Sequence, residues 1–560
     1  MSNGTGDLVS RVYGGFRGVD FRGEEINIVR SPDSLNVWKD YKETDRIRTR
    51  PGIELHTAFT ESVYGIFFYK DNLIVHSGTK LYTVKNGAKT VLFSGVNANV
   101  SNSFIFEDIW YFKDGKHYLQ YDGADIKEVV GYVPTTSIGR KPSGGGTTLE
   151  DVNMLNGQRI NTFLADGGSF DFYLDTMNID SDFPPIVKVD DEVVTEGYTV
   201  NYAEGKVSFT KAPDAPKTDG RDNVSVEFRK TITKYRESIL KCKMLQVFDN
   251  RVFFSGNDEY PNVVWHCSLN DPTYVSDLDY YREGMDSAKV RGMVAGNNAL
   301  WVFREPSQAN TTVFYHTPTL DATYGKIYPS SHSSVTTGCV GRAINFNDDI
   351  VFFSDRGMEG ISGDVTTEQV VAHRSSLVDR KLLSEVDYKD MVLEEWEGYL
   401  FIFVGNKVFL ADSRTAFTNE DHIEYEFFYW ELEKAITCTQ VWDGVLYLGT
   451  DSGVYTMTDN DCDVESYWTT PKDKFGVPHK LKTTNKRGCV AEASGDITVY
   501  AKVEDTDFEK VGEFKNVTDY FVSRIKRKKF KDIQLKFHST TRFSLETVSL
   551  EAWIGGYIKR

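Results

Sequence analysis

Asp348-Asp349-Ile350-Val351-Phe352-Phe353 joins a tight acidic turn to an apolar, aromatic strand, and the phrase recurs six more times. The other copies are Asp71-Asn72-Leu73-Ile74-Val75, Glu107-Asp108-Ile109-Trp110-Tyr111-Phe112, Asp249-Asn250-Arg251-Val252-Phe253-Phe254, Asn297-Asn298-Ala299-Leu300-Trp301-Val302-Phe303, Glu397-Gly398-Tyr399-Leu400-Phe401-Ile402-Phe403 and Asp443-Gly444-Val445-Leu446-Tyr447-Leu448. From turn to turn the steps are 36, 142, 48, 51, 49 and 46 residues. A hairpin-rich recurrence of roughly 40 to 50 residues predicts a β-propeller, in which each blade buries its faces against its neighbours. Seven copies predict an all-β chain built on a seven-bladed β-propeller.

The long step holds one blade interval and an insertion of roughly 95 residues, since such folds carry extra material between repeating units. Gly144-Gly145-Gly146-Thr147-Thr148 reads as the flexible break that opens it, and Arg229-Lys230-Thr231 as the return. Between them Phe170, Phe172 and Leu174 alternate, and Ile186-Val187-Lys188-Val189, Tyr198-Thr199-Val200, Lys206-Val207-Ser208-Phe209 and Val224-Ser225-Val226-Glu227-Phe228 follow with short turns. This pattern predicts an inserted β-sandwich. After Cys462 the recurrence stops, and alternating strands from Ile497 to Trp553 predict a second, C-terminal β-sandwich. The predicted organisation is 1-60 N-terminal arm and closing strands, 61-142 first blades, 143-232 inserted sandwich, 233-462 remaining blades and 463-560 C-terminal sandwich.

Lys and Arg number 64 against 82 Asp and Glu, a formal charge of −18, so the chain as a whole is poorly suited to gripping nucleic acid. Aromatics at 13% favour sheet. Cys242, Cys267, Cys339, Cys438, Cys462 and Cys489 lie far apart and read as reduced core thiols. The opening residues lack the basic and apolar regions of a signal peptide, and no apolar run reaches the roughly 18 residues of a membrane span. Folding in a reducing cytoplasm is the simplest expectation.

Before the first copy, Ser31-Pro32-Asp33-Ser34-Leu35-Asn36-Val37-Trp38 leads into Arg46-Ile47-Arg48-Thr49-Arg50-Pro51-Gly52-Ile53. Pro51-Gly52 is a turn signal. Arg46, Arg48 and Arg50 alternate, which on a strand places them on one face, either a solvated edge or a contact with a neighbouring subunit's carboxylates. A placed Asn, then R-x-R-P-G-I, then a run of propeller hairpins resembles the opening of tail proteins of short-tailed phages, the family of tail nozzle (tail tubular protein B) and packaged-DNA stabilisation or tail-hub proteins. Ser31, Pro32, Asn36, Trp38, Arg48, Arg50, Pro51 and Gly52 carry the resemblance.

The resemblance implies a structural virion protein of the tail, assembled in the host cytoplasm into a homohexameric ring. Such a ring forms part of the DNA ejection conduit, helps retain packaged DNA, and meets other tail or portal-adaptor proteins. Double-stranded DNA passes through its lumen without sequence-specific binding. A head-to-tail adaptor ring is the neighbouring alternative. A glycan-binding or glycan-cleaving propeller is the alternative of a different class.

Arg524-Ile525-Lys526-Arg527-Lys528-Lys529-Phe530-Lys531 opposes the overall sign of the chain. A charge run of this kind is most often a solvated strand end; Lys526, Arg527, Lys528, Lys529 and Lys531 are otherwise candidates for subunit or DNA contact. No metal-ligand spacing, nucleophile motif or phosphate-binding glycine loop is present in the ten scattered histidines or elsewhere. No cofactor, no metal and no catalytic residues are therefore expected, and the chain reads as a structural protein rather than an enzyme.

Overall fold

A computed structural model describes residues 7–23, 26–323, 325–362, 369–419, 422–460, 463–526 and 529–557. The chain is all-β. Helix among the described residues is confined to Tyr235–Leu240, Asp379–Leu382 and the 3-10 turn Tyr388–Asp390. Two compact units are present: one joins the residues up to Val91 to those from Ser333 onward, and the other is Leu92–His332.

Seven four-stranded antiparallel sheets are built on the recurring phrase. In each, the first two strands meet across a two-residue turn whose residues both have positive φ. The pairs are Lys70/Asp71, Glu107/Asp108, Asp249/Asn250, Asn297/Asn298, Asn347/Asp348, Glu397/Gly398 and Asp443/Gly444, with φ from 45° to 76°. This is the type I′ geometry, whose twist matches that of the flanking strands and which Asn, Asp and Gly tolerate best. In the first and fifth copies the turn lies one residue earlier than the phrase suggests. Asn72 and Asp349 already sit in the ladder, opposite Tyr69 and Phe346.

The strand after each turn is buried on both faces, because successive side chains enter different cores. In the strand Tyr399–Val404, Tyr399, Phe401 and Phe403 join one cluster with Leu446 and Leu448 of the following sheet. Leu400, Ile402 and Val404 join another with Val351 and Phe353 of the preceding sheet. Cys438 and Val454 of the last sheet pack with Val63, Ile66 and Val75 of the first. In the other unit, Tyr111 and Tyr118 pack with Val252 and Phe254, while Phe253 and Val264 pack with Leu300 and Val302. Consecutive sheets are thus stacked face to face in two runs, one of four and one of three. The last sheet takes its outer strand, Gly52–Ala58, from the N-terminal side, paired with Gly453–Thr458.

The inserted strands form a six-stranded and a three-stranded sheet around Phe163, Phe172, Val187, Val207, Val226 and Phe228. Their sheet begins at Thr135–Arg140, ahead of the glycine run, and pairs in parallel with Gln158–Phe163. Pro142 and Ser143 make a tight turn between Lys141 and Gly144, and the glycine run follows it into the strand Thr147–Thr148. All three glycines have positive φ, and a Cβ on Gly146 would lie 2.8 Å from the Ile138 carbonyl oxygen.

The C-terminal strands form one eleven-stranded sheet. Its centre is the 24-residue strand Lys480–Val503. The first part pairs with Phe543–Tyr557 and Tyr520–Ser523, and the last part with Ile533–Ser539 and Glu509–Val517. The region read as a C-terminal sandwich is thus joined by hydrogen bonds into one sheet. Four N-terminal strands complete it: Leu8–Gly14, Ser34–Leu35, Val37–Trp38 and Ile47–Thr49.

Candidate functional site

The residues that carry the family resemblance form a clasp between the strand His422–Glu431 and the C-terminal sheet. Asn36 takes a left-handed conformation, φ 55°. Its Oδ1 accepts from Arg50 Nε (3.1 Å) and the Glu431 N–H (2.9 Å), and its Nδ2 donates to the Glu465 carbonyl (2.9 Å). The Ser31 hydroxyl donates to the Thr469 carbonyl and the Trp430 indole N–H to the Val37 carbonyl. Arg30 grips Glu426 through two hydrogen bonds of 2.8 Å, with the Glu426 side chain wholly inaccessible. Gly18 lies against the same strand, where a Cβ would stand 1.9 Å from the Phe427 carbonyl oxygen, so only glycine fits.

This arrangement separates the three predicted arginines. The strand Ile47–Thr49 ends before Arg50, which is 3% exposed and donates to Asn36, the Pro51 carbonyl and the Glu431 carbonyl. Arg48 is held by Asp40 and Asp459. Arg46 alone stands at the surface, beside Asp45 and Glu546. Their common exposed face is thereby corrected. Alternation put Arg46 and Arg48 on one side, but the end of the strand turns Arg50 into the core.

The basic segment keeps the opposite arrangement. Phe521, Ser523 and Ile525 point inward while Val522, Arg524 and Lys526 project outward. Lys529, opposite Thr483, and Lys531 are also exposed. Arg527 and Lys528 lie outside the described residues, as does Cys462. Among the described residues no ion pair involves Arg524, Lys526, Lys529 or Lys531, whereas Lys472, Lys510 and Lys515 of the same segment meet Asp505, Glu513 and Asp496. The charge is segregated along the chain as well. From Ser466 to Arg560 there are 19 Lys and Arg against 12 Asp and Glu, which of 64 and 82 overall leaves 45 and 70 for the rest.

A His-Asp-Ser grouping that sequence spacing did not reveal lies at Gly357 to Asp379. His373 meets Asp379 through Nε2 (2.6 Å) and Glu359 through Nδ1 (3.3 Å), while the Ser375 hydroxyl donates to Asp379 (2.6 Å). Both imidazole nitrogens face carboxylates and the serine proton goes to Asp379, so the group is not arranged to activate a nucleophile. Burial opposes the charge on His373, but the hydrogen bonds with Asp379 and Glu359 outweigh it and raise its pKa to about 10. Among the described residues no group of three or more His, Cys, Asp or Glu is placed to hold a metal ion, and no helix is long and apolar enough to cross a membrane.

No protein-family model and no curated protein matches the sequence. Similar solved structures include BamB from Moraxella catarrhalis, at 10% identity over 76% of this chain and 92% of that one, with a TM-score of 0.32. The N-terminal domain of Nup159 is 8% identical over 82% and 96%, TM-score 0.32, and the computationally designed Ika8 protein is 10% identical over 72% and 99%, TM-score 0.32. At these TM-scores the likenesses carry no argument about fold or activity.

Proposed function

We propose that the seven sheets are the blades of a single propeller and that the chain is a structural subunit of a phage tail ring, in the nozzle or hub. The two runs of stacked sheets and the N-terminal strand that completes the last sheet support the closed propeller, whose blades leave only short, protected edges. One observation carries the assembly: exposed basic residues that follow the strand Tyr520–Ser523 of the C-terminal sheet and, among the described residues, make no ion pair, in an otherwise acidic chain. Unlike surfaces on one subunit suit the head-to-tail contacts that close a cyclic ring, and complementary charge sets their register. The remaining acidic surface repels DNA phosphates, so a duplex retained in or leaving through the lumen slides without sticking. Other tail proteins or a portal adaptor would cap such a ring, and its place is the virion.

Light scattering and negative-stain microscopy of the full chain test this reading. The expected result is a ring of six subunits that dissociates in the combined variant Arg524→Glu, Lys526→Glu and Lys529→Glu while thermal unfolding is unchanged. A wild-type chain that stays monomeric across the micromolar range at low salt overturns it.

A further inference from the structure

Residues of the strand Leu8–Gly14 and of the segment that follows Ser466–Thr469 line a cleft of about 420 Å³ together with Ile26 and Ile28. It belongs wholly to the unit that contains both ends of the chain. Its frame is held in place by Asp473. The backbone of this residue exchanges two hydrogen bonds with Ile533, and its carboxylate accepts from the Tyr13 hydroxyl (2.9 Å) and the Phe475 N–H. Arg11 Nε stands 3.4 Å from the same carboxylate, which aims the rest of the guanidinium away from it.

Four charged residues line the cleft: Arg11, Lys472, Asp473 and Lys474. Three cations and one carboxylate leave a net charge of +2, in a chain that carries −18 overall. The carboxylate is occupied by the contacts just named, whereas the cations are open to a partner. Lys474 is exposed and, among the described residues, its side chain makes no hydrogen bond or ion pair. Lys472 meets only Asp505, which is 96% exposed, so that the pair is weak. The Arg11 side chain is 34% exposed although its Nε is inaccessible, and its two terminal nitrogens have no hydrogen-bond partner among the described residues. Gly476, also of the lining, leaves the guanidinium uncovered: a Cβ there would stand 3.3 Å from Arg11 Nη2. Beside these charges lie apolar groups open to solvent, Ile28 at 36% exposure and Pro478.

This combination selects a ligand class. A cation is repelled, and a metal ion would find a single carboxylate already in use. An inorganic anion would meet the charge and leave the apolar side bare, in a cleft whose volume falls in the range of about 300–1,000 Å³ that holds small organic ligands. A DNA duplex is too wide to enter. A phosphate monoester carries about −1.5 to −2 at pH 7 and three acceptor oxygens, which matches the net charge and the guanidinium fork better than a singly charged carboxylate does.

We propose that this cleft binds a phosphate monoester with a compact apolar body. The phosphate is held by Lys474, Lys472 and the terminal nitrogens of Arg11, and the body lies on Ile28 and Pro478. The proposal is independent of ring assembly.

Isothermal titration calorimetry of the full chain tests it, with phenyl phosphate as the probe and inorganic phosphate and benzoate as its two halves. Phenyl phosphate is expected to bind saturably with a Kd of about 1 mM or below, and each half at least tenfold more weakly. Lys474→Gln and Ile28→Ser change exposed side chains, one on the charged side and one on the apolar side. The first should weaken phenyl phosphate about tenfold and the second about threefold, at unchanged melting temperature and assembly state. If a variant unfolds, a crystal of the wild-type chain soaked in phenyl phosphate decides, with density for the phosphate within hydrogen-bond reach of Lys474 and Arg11 supporting the site. No saturable binding up to about 10 mM, a half that binds as tightly as the whole, affinity indifferent to either variant, or a soaked crystal without density in the cleft overturns it.

Discussion

The seven hairpins close over two residues each, whereas the clasp joins residues hundreds of positions apart: Arg30 and Glu426 are separated by 396, Asn36 and Glu465 by 429. The hairpins are specified locally, by side chains that tolerate positive φ. The clasp is specified by burial and by hydrogen bonds that exist only when both distant partners are in place. A turn residue contributes some tenths of a kcal/mol, while each fully buried apolar side chain such as Phe401 contributes about 1.5–3 kcal/mol. Turns therefore choose the register, and the packed faces and the clasp supply the stability.

Breaking the clasp is expected to show the largest effect. Arg30→Met leaves the inaccessible Glu426 carboxylate with only Arg17 nearby, at 3.7 Å, and should cost about 3–5 kcal/mol in denaturant unfolding. Burial holds the Glu426 carboxyl above its ordinary range against the pull of Arg30, so the deficit should shrink as pH falls and the carboxyl protonates. An equal deficit at pH 5 and pH 8 would contradict this account. Asn36→Ala removes three hydrogen bonds and a side chain suited to positive φ, for an expected loss of about 2–3 kcal/mol. Asn36→Gly should recover only the conformational part.

Within the repeated sheets the effects should be smaller. The folded pKa of His373 lies near 10, above its ordinary 6.5. Its contribution is thus fully present below about pH 6.5 and is lost as pH rises toward 10. Wild-type stability should fall across that window by about 1 kcal/mol, discounted for partial exposure, and His373→Gln should lack this component of the fall. Smallest of all, Glu107→Asn places a better residue at a φ of 45° and should stabilise by about 0.5 kcal/mol. Destabilisation there would mean that Glu107 makes a contact worth more than the turn conformation.

The same contrast explains what the sequence made legible. The seven turn-and-strand phrases were readable because period, turn chemistry and apolar strand all fall within a dozen residues. The glycine run marked the insertion by composition alone, and the parallel pairing that starts the inserted sheet ahead of it, at Thr135–Arg140, left no local signal. Arg50 was misplaced because alternation gives a side, and only the end of a strand tells how far that side extends. The short N-terminal strands of the C-terminal sheet left little local signal, since Ser34–Leu35 and Val37–Trp38 are two residues long and the first pairs with Tyr467 and Trp468, more than 400 residues on. Arg524 and Lys526 stood out by charge, but that they make no ion pair among the described residues was visible only once the neighbouring strands were in place.

The strand Gly52–Ala58 leaves the ribosome about 400 residues before its partner Gly453–Thr458. At about 5–20 residues per second, it waits roughly 20 to 80 seconds with its ladder unmade. During that interval nascent chains on one polysome present the same unfilled edge to one another. Fidelity of synthesis for this chain therefore depends on keeping an early segment solitary until the final sheet emerges, and slowing translation late in the message should raise the yield of misassembled product.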